Sequence, residues 1–191
     1  ALIISQYYEG LSQDKWIEIT NVGDTALDLS AYYLARWSNT SQPDSTASSS
    51  NQLSGVILPA ASILIKHSSA QLPSYASGNS GGALAFNGDD VMAICLHSNQ
   101  WNDRLDCLYA PGTWGLNTSF YRKPFIMEPN QGISILDGTG EWLEVSNTAV
   151  DTALSGSSAR LGEHYFGLPT GDFTFNGNTW LPQSPIGIST L

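Results

Sequence analysis

At 191 residues, with 41% of them hydrophobic, the chain has enough apolar content to bury a core, which excludes wholesale disorder and fits one large domain. Only 13% of residues are charged, and the polar ones are mainly Ser, Asn, Thr, Gln and Gly, a balance suited to β-strand surfaces rather than solvated helix faces. A formal charge of −10 with scattered basic residues argues against binding of a nucleic-acid backbone by this chain alone and disfavours an anionic membrane surface, and no apolar run reaches the ~18 residues of a membrane span.

In chain order, "LIISQYY" (Leu2 to Tyr8) is rich in β-branched and aromatic residues and predicts a strand, with "EGLSQD" as a loop after it. "KWIEIT" alternates strictly, placing Trp16, Glu18 and Thr20 on one face and Ile17 and Ile19 on the other, which predicts a half-buried strand. Asn21 to Asp24 form a turn, Ala26 to Leu29 a short strand and Ala31 to Trp37 another. Ser38 to Gln52 is almost wholly polar and predicts a long exposed loop. "GVILPAASILIKH" reads as strand, turn and strand around Pro59, and "SSAQLPSYASGNSGG" as a loop. "LAFNGDDVMAIC" sets a glycine-acid turn between apolar runs, and "CLHSNQWNDRLDCLYA" reads as strand, loop and strand. "VDTALSGSSARLG" is the one candidate for a short helix. Many short strands broken by Gly, Asn, Asp and Pro predict an all-β chain folded as an antiparallel β-sandwich.

Candidate sites compete with structural roles at each position. Asn87, Asp89 and Asp90 offer part of a calcium shell, yet calcium takes six to eight oxygens, and the favoured reading is a tight turn capped by its own side chains. A hydrolase on this scaffold would gather at least two of Glu18, Asp89, Asp90, Asp103 and Asp106 in a pocket. Trp101, in the polar setting "SNQWNDR", and Trp37, beside the long polar run, are the tryptophans expected to be exposed and able to stack on a glycan. Cys95 and Cys107 admit two readings, a cross-strand disulfide worth roughly 3 kcal/mol or two small buried hydrophobes. His67, His97 and His164 show no metal-ligand spacing, and neither a GxSxG elbow nor a phosphate-binding loop occurs.

Several segments, in order, resemble the bacterial lamin-tail domains, whose fold is an immunoglobulin-like β-sandwich. "IISQYYEG" resembles the opening strand of the secreted branch, and "KWIEITNVGDTALDLSAYYL" its main signature. "LAFNGDDVMAI" and "RLDCLYAPGTWG" resemble an inter-strand loop and the returning strand, while "SFYRKP", "EWLEVS" and "LGEH" resemble the closing elements. Ala31 stands where that family usually has glycine. The likeness spans residues 1 to about 166 and leaves 167–191 as a C-terminal extension, whose Phe173, Phe175, Trp180, Leu181 and Ile186 predict packing against the sandwich as an edge strand. The resemblance implies a non-catalytic module for binding or attachment to a protein or glycan, of the kind that accompanies secreted or membrane-associated hydrolases in bacteria. It implies a secreted, cell-surface or periplasmic location, no catalytic residue and no cofactor beyond the candidate calcium.

Overall fold

The computed structural model describes residues 1–39, 43, 45–70, 77–78, 82–123, 126–132, 140–148, 173–175 and 180–182. The strands are β1 (Leu2–Glu9), β2 (Lys15–Asn21), β3 (Leu27–Asp28), β4 (Tyr32–Trp37), β5 (Ser49–Gln52), β6 (Val56–Ile57), β7 (Ser62–Lys66), β8 (Ser77–Gly78), β9 (Val91–Leu96), β10 (Arg104–Leu108), β11 (Thr118–Arg122), β12 (Trp142–Ser146), β13 (Phe173–Phe175) and β14 (Trp180–Pro182). They form a six-stranded sheet in the order β12-β11-β1-β2-β7-β8 and a four-stranded sheet in the order β10-β9-β4-β5, with the small pairs β3-β6 and β13-β14. Pairing is antiparallel throughout except between β7 and β8. The all-β expectation therefore holds. Among the described residues no helix is long and apolar enough to cross a membrane.

The core lies between the two large sheets. Ile17, Ile19 and Ile65 project from the six-stranded sheet toward Leu34, Met92, Ile94 and Leu108 of the other. Each such side chain, once buried, stabilises the fold by roughly 1.5–3 kcal/mol. β1 supplies Leu2, Ile4 and Tyr7 to the same core, a spacing that strict alternation forbids. A register shift between Ile4 and Gln6 against β2 resolves it: the bulge adds one residue and turns Tyr7 inward.

β2 departs from the half-buried expectation, since all seven of its residues are buried. On the face turned away from the four-stranded sheet, Tyr8 stacks on Trp16 with ring centroids 3.5 Å apart. Polar residues on that face survive burial by bonding one another. Ser5 Oγ meets Glu18 Oε1 at 2.5 Å and Thr20 Oγ1 at 2.7 Å, and Thr20 Oγ1 meets Ser62 Oγ at 2.8 Å. Gln6 Nε2 donates to Tyr121 Oη at 2.7 Å.

The expected loop from Ser38 to Gln52 contains a strand, β5, paired with β4 from Tyr33↔Gln52 to Arg36↔Ser49. Backbone pairing is indifferent to side-chain polarity at a sheet edge, and Asn51 Oδ1 accepts from the Ala83 N–H at 3.1 Å. In the C-terminal extension β13 and β14 pair with each other, so neither is an edge strand of a large sheet. The expected helix in 150–162, His164, Ile186 and the "LGEH" segment lie outside the described residues.

Candidate functional site

The quartet Asn87 to Asp90 is a turn entering β9. The Asp90 N–H donates to Asn87 O at 3.0 Å, and the Asn87 N–H returns to Asp90 Oδ2 at 3.0 Å. Asp90 is buried, accepts from the Asn39 N–H at 2.9 Å and pairs with Arg36 Nη1 at 3.1 Å. Arg36 thus supplies the positive charge that this carboxylate faces. With their amide nitrogens turned to Asp89, Asn39 and Asn87 donate to its carboxylate at 3.0 Å and 2.6 Å. Gly88 is required by a close approach: a Cβ there would stand 2.1 Å from the Leu116 nitrogen. The Gly115 N–H also donates to Gly88 O at 2.9 Å, pinning the turn to a segment distant in sequence.

The other candidate carboxylates occupy separate places, each with its own partners. Glu18 belongs to the Ser5–Thr20–Ser62 hydrogen-bond chain on β2. Asp103 is exposed in a 3-10 turn, where Ser98 Oγ donates to it. Asp106 is fully buried on β10 and reaches across to the β1 bulge. Its Oδ2 accepts from the Ile4 N–H and from Arg122 Nη1, each at 2.7 Å, and its Oδ1 accepts from the Asn130 N–H at 2.7 Å. Arg122, also fully buried, donates from Nη1 to Ile4 O at 3.4 Å and from Nη2 to Glu141 Oε2 at 2.9 Å. The β1–β11 register runs only from Gln6 to Tyr8, and beyond it the two charged side chains take up the N–H and carbonyl of Ile4, clasping the sheets together.

Burial raises the Asp106 carboxyl against the pull of Arg122 and two backbone N–H groups. Burial likewise lowers the Arg122 guanidinium, but Asp106 and Glu141 more than offset this and keep it above its ordinary value. An oxygen pair that accepts three N–H bonds is matched to the ionised form, so the pair is read as charged. A second buried pair, Lys15 Nζ with Glu9 Oε1 at 2.9 Å, closes the β1–β2 hairpin beneath Phe86. Among the described residues no group of three His, Cys, Asp or Glu is placed to hold a metal ion.

The two tryptophans differ from expectation. Trp37 is only 3% exposed, its Nε1 donates to Ser45 O at 3.1 Å, and its ring meets Trp101 edge-on at 5.2 Å. The expected exposure of Trp37 is therefore corrected: it lies on the outer face of β4 in a cluster with Ala93 and Cys95, covered by Trp101. Trp101 is half-buried, and Arg104 sits over its ring at 3.9 Å. A sugar stacking on that ring face would first have to displace the guanidinium.

Cys95 and Cys107 are buried thiols on neighbouring strands with no disulfide between them, as the reading of two small buried hydrophobes expects. Cys95 lies opposite Arg104 and Cys107 opposite Ala93, a diagonal arrangement in which the Cys107 thiol points to Gln131 O at 3.2 Å. Burial pushes the Cys95 thiol up from its ordinary 9.0 to about 12. Above pH 9 the unfolded chain ionises this thiol while the folded chain keeps the proton, so stability falls as pH rises through that window, by at most about 1.4 kcal/mol per pH unit. Tyr7, held up first by burial and then by Glu9, Asp90 and Asp89, acts in the same direction above its own ordinary 10.0. Urea midpoints should therefore drop between pH 8 and pH 10, and less steeply in Cys95→Ala. A flat profile in the native chain would contradict this account.

Comparison of the chain with family models, curated proteins and solved structures finds no match.

Proposed function

We propose that this chain is a non-catalytic extracellular module for binding or attachment, built as an immunoglobulin-like sandwich of the lamin-tail kind. The observation that carries the reading is the use made of its carboxylates. Glu18, Asp89, Asp90, Asp103 and Asp106 are distributed over β2, the Asn87–Asp90 turn, a 3-10 turn and β10, and each is bonded to a local structural partner. A hydrolytic pair needs two carboxylates flanking one bond, with environments that separate their pKa values. The ordered motifs from "IISQYYEG" to "EWLEVS" support the family reading, and with it a secreted or cell-surface location.

Cation usage bears on the partner. Lys15, Arg36 and Arg122 form ion pairs, and Arg104 is stacked on Trp101. Few basic groups remain to meet a nucleic-acid backbone. The test is a panel of phosphodiester and glycoside substrates, with and without calcium, assayed on the native chain and on Glu18→Gln and Asp89→Asn. No turnover is expected in any arm. Turnover by the native chain that either substitution abolishes would replace this reading with a carboxylate hydrolase.

A further inference from the structure

The turn that carries Asp90 also holds an Asn-Gly dipeptide, Asn87-Gly88. Packing imposes its glycine, since a Cβ there would stand 2.1 Å from the Leu116 nitrogen. The missing side chain leaves the Gly88 nitrogen uncrowded, and along the chain that nitrogen is the nearest nucleophile beyond Asn87 to the amide carbon of the Asn87 side chain. Among the described residues the Gly88 N–H donates no hydrogen bond, although its carbonyl accepts from the Gly115 N–H at 2.9 Å. No bond therefore has to break before that nitrogen reacts. Asn87 itself is exposed, so water and hydroxide reach its amide. A second Asn-Gly pair, Asn176-Gly177, lies outside the described residues.

We propose that Asn87 is a site of spontaneous deamidation and that its products open this turn. Hydroxide removes the Gly88 amide proton, the nitrogen attacks Asn87 Cγ, and the Cγ–Nδ2 bond breaks, with ammonia leaving on a proton taken from water. The cyclic imide so formed takes up water. Opening at Cγ gives aspartate, while opening at the main-chain carbonyl gives isoaspartate, whose backbone runs through Cγ and is one atom longer. Neither product fits the turn. Turned to the carboxylates, the Asn87 amide nitrogen donates to Asp89 at 2.6 Å and to Asp90 at 3.0 Å. A carboxylate in its place donates nothing and adds a like charge beside both. In isoaspartate the extra atom also falls between two fixed points, the Asn87 N–H on Asp90 Oδ2 and the Gly88 carbonyl on the Gly115 N–H.

The experiment incubates the full chain in mildly alkaline buffer beside a capped peptide of residues 84–91. Peptide mapping and enzymatic methylation of isoaspartate follow residue 87, which keeps it apart from Asn176. Conversion at Asn87 is expected in both samples, rising with hydroxide concentration, and Asn87→Ser should give no product at that position. The converted chain, separated from the intact chain by its added charge on ion exchange, should unfold at a lower urea midpoint. Within it, the isoaspartate form should unfold below the aspartate form. A chain that stays intact at Asn87 while the peptide converts would show the glycine nitrogen shielded by its packing on Leu116, and would overturn the proposal. A converted chain with the urea midpoint of the intact one would overturn it as well. Either result leaves the binding-module reading untouched, because that reading stands or falls on the substrate panel.

Discussion

Arg122→Met is expected to lower the unfolding free energy by about 3–5 kcal/mol, the cost of stranding one member of a buried ion pair. That loss would be a large part of the roughly 5–15 kcal/mol that holds a typical domain together. Asp106 would remain fully buried at the β1 bulge with only the Ile4 and Asn130 N–H groups to face its charge. Glu141 and the Ile4 carbonyl would lose their donors in the same step. Methionine matches the length of the arginine stem, so packing changes least and the electrostatic part dominates. The double variant Arg122→Met/Asp106→Leu should recover only part of the loss: it removes the stranded charge but leaves two backbone N–H groups without an acceptor. Urea unfolding of the three proteins measures this ordering. A single-variant loss below about 1 kcal/mol would place the clasp among surface ion pairs in weight.

Asp90→Ala is expected to cost about 2–4 kcal/mol, because one carboxylate serves three donors. It caps the Asn87 N–H, takes the Asn39 N–H and balances Arg36. Arg36 keeps 17% of its side chain in contact with solvent, so its stranded charge should cost less than that of Asp106. The same variant separates the turn from a calcium site. A turn cap stabilises without any ion, so the unfolding midpoint of the native chain should be the same in excess calcium and in excess chelator. A calcium-dependent rise that Asp90→Ala removes would restore the metal reading.

Strand positions were legible because period-two alternation survives in short runs such as "KWIEIT" and "AYYLARW". What alternation does not carry is whether the second face is also covered. Trp16, Glu18 and Thr20 give the same pattern on a solvated face as on a buried one, and the difference lies in partners such as Ser5 and Ser62, reached from other strands. The bulge after Ile4 was hidden because an inserted residue shifts the period without leaving a local mark. β5 was missed for the opposite reason, since a run of Ser, Asn and Gln has no periodicity to read. The Asn87–Asp90 turn was legible in kind. The reason for its glycine was not, because that reason is Leu116, 28 positions further along the chain. Asp106 stood among the candidate catalytic carboxylates, but its role as a clasp depends on Arg122 and on a backbone amide 102 positions away. Trp37 was expected at the surface because its neighbours in sequence are polar, whereas its neighbours in space are Trp101 and Ala93.

Carboxylates kept for chemistry commonly lower the stability of the fold that holds them, and removing them tends to raise it. Carboxylates kept for architecture behave in the opposite way. The most direct measurement is therefore urea unfolding of Glu18→Gln, Asp90→Asn and Asp106→Asn beside the native chain at neutral pH. All three midpoints are predicted to fall, with Asp106→Asn lowest because its carboxylate bridges both sheets. Midpoints that stay level or rise in these variants would mark the same side chains as a destabilising, functional set, and the description of this molecule as a docking scaffold would be wrong.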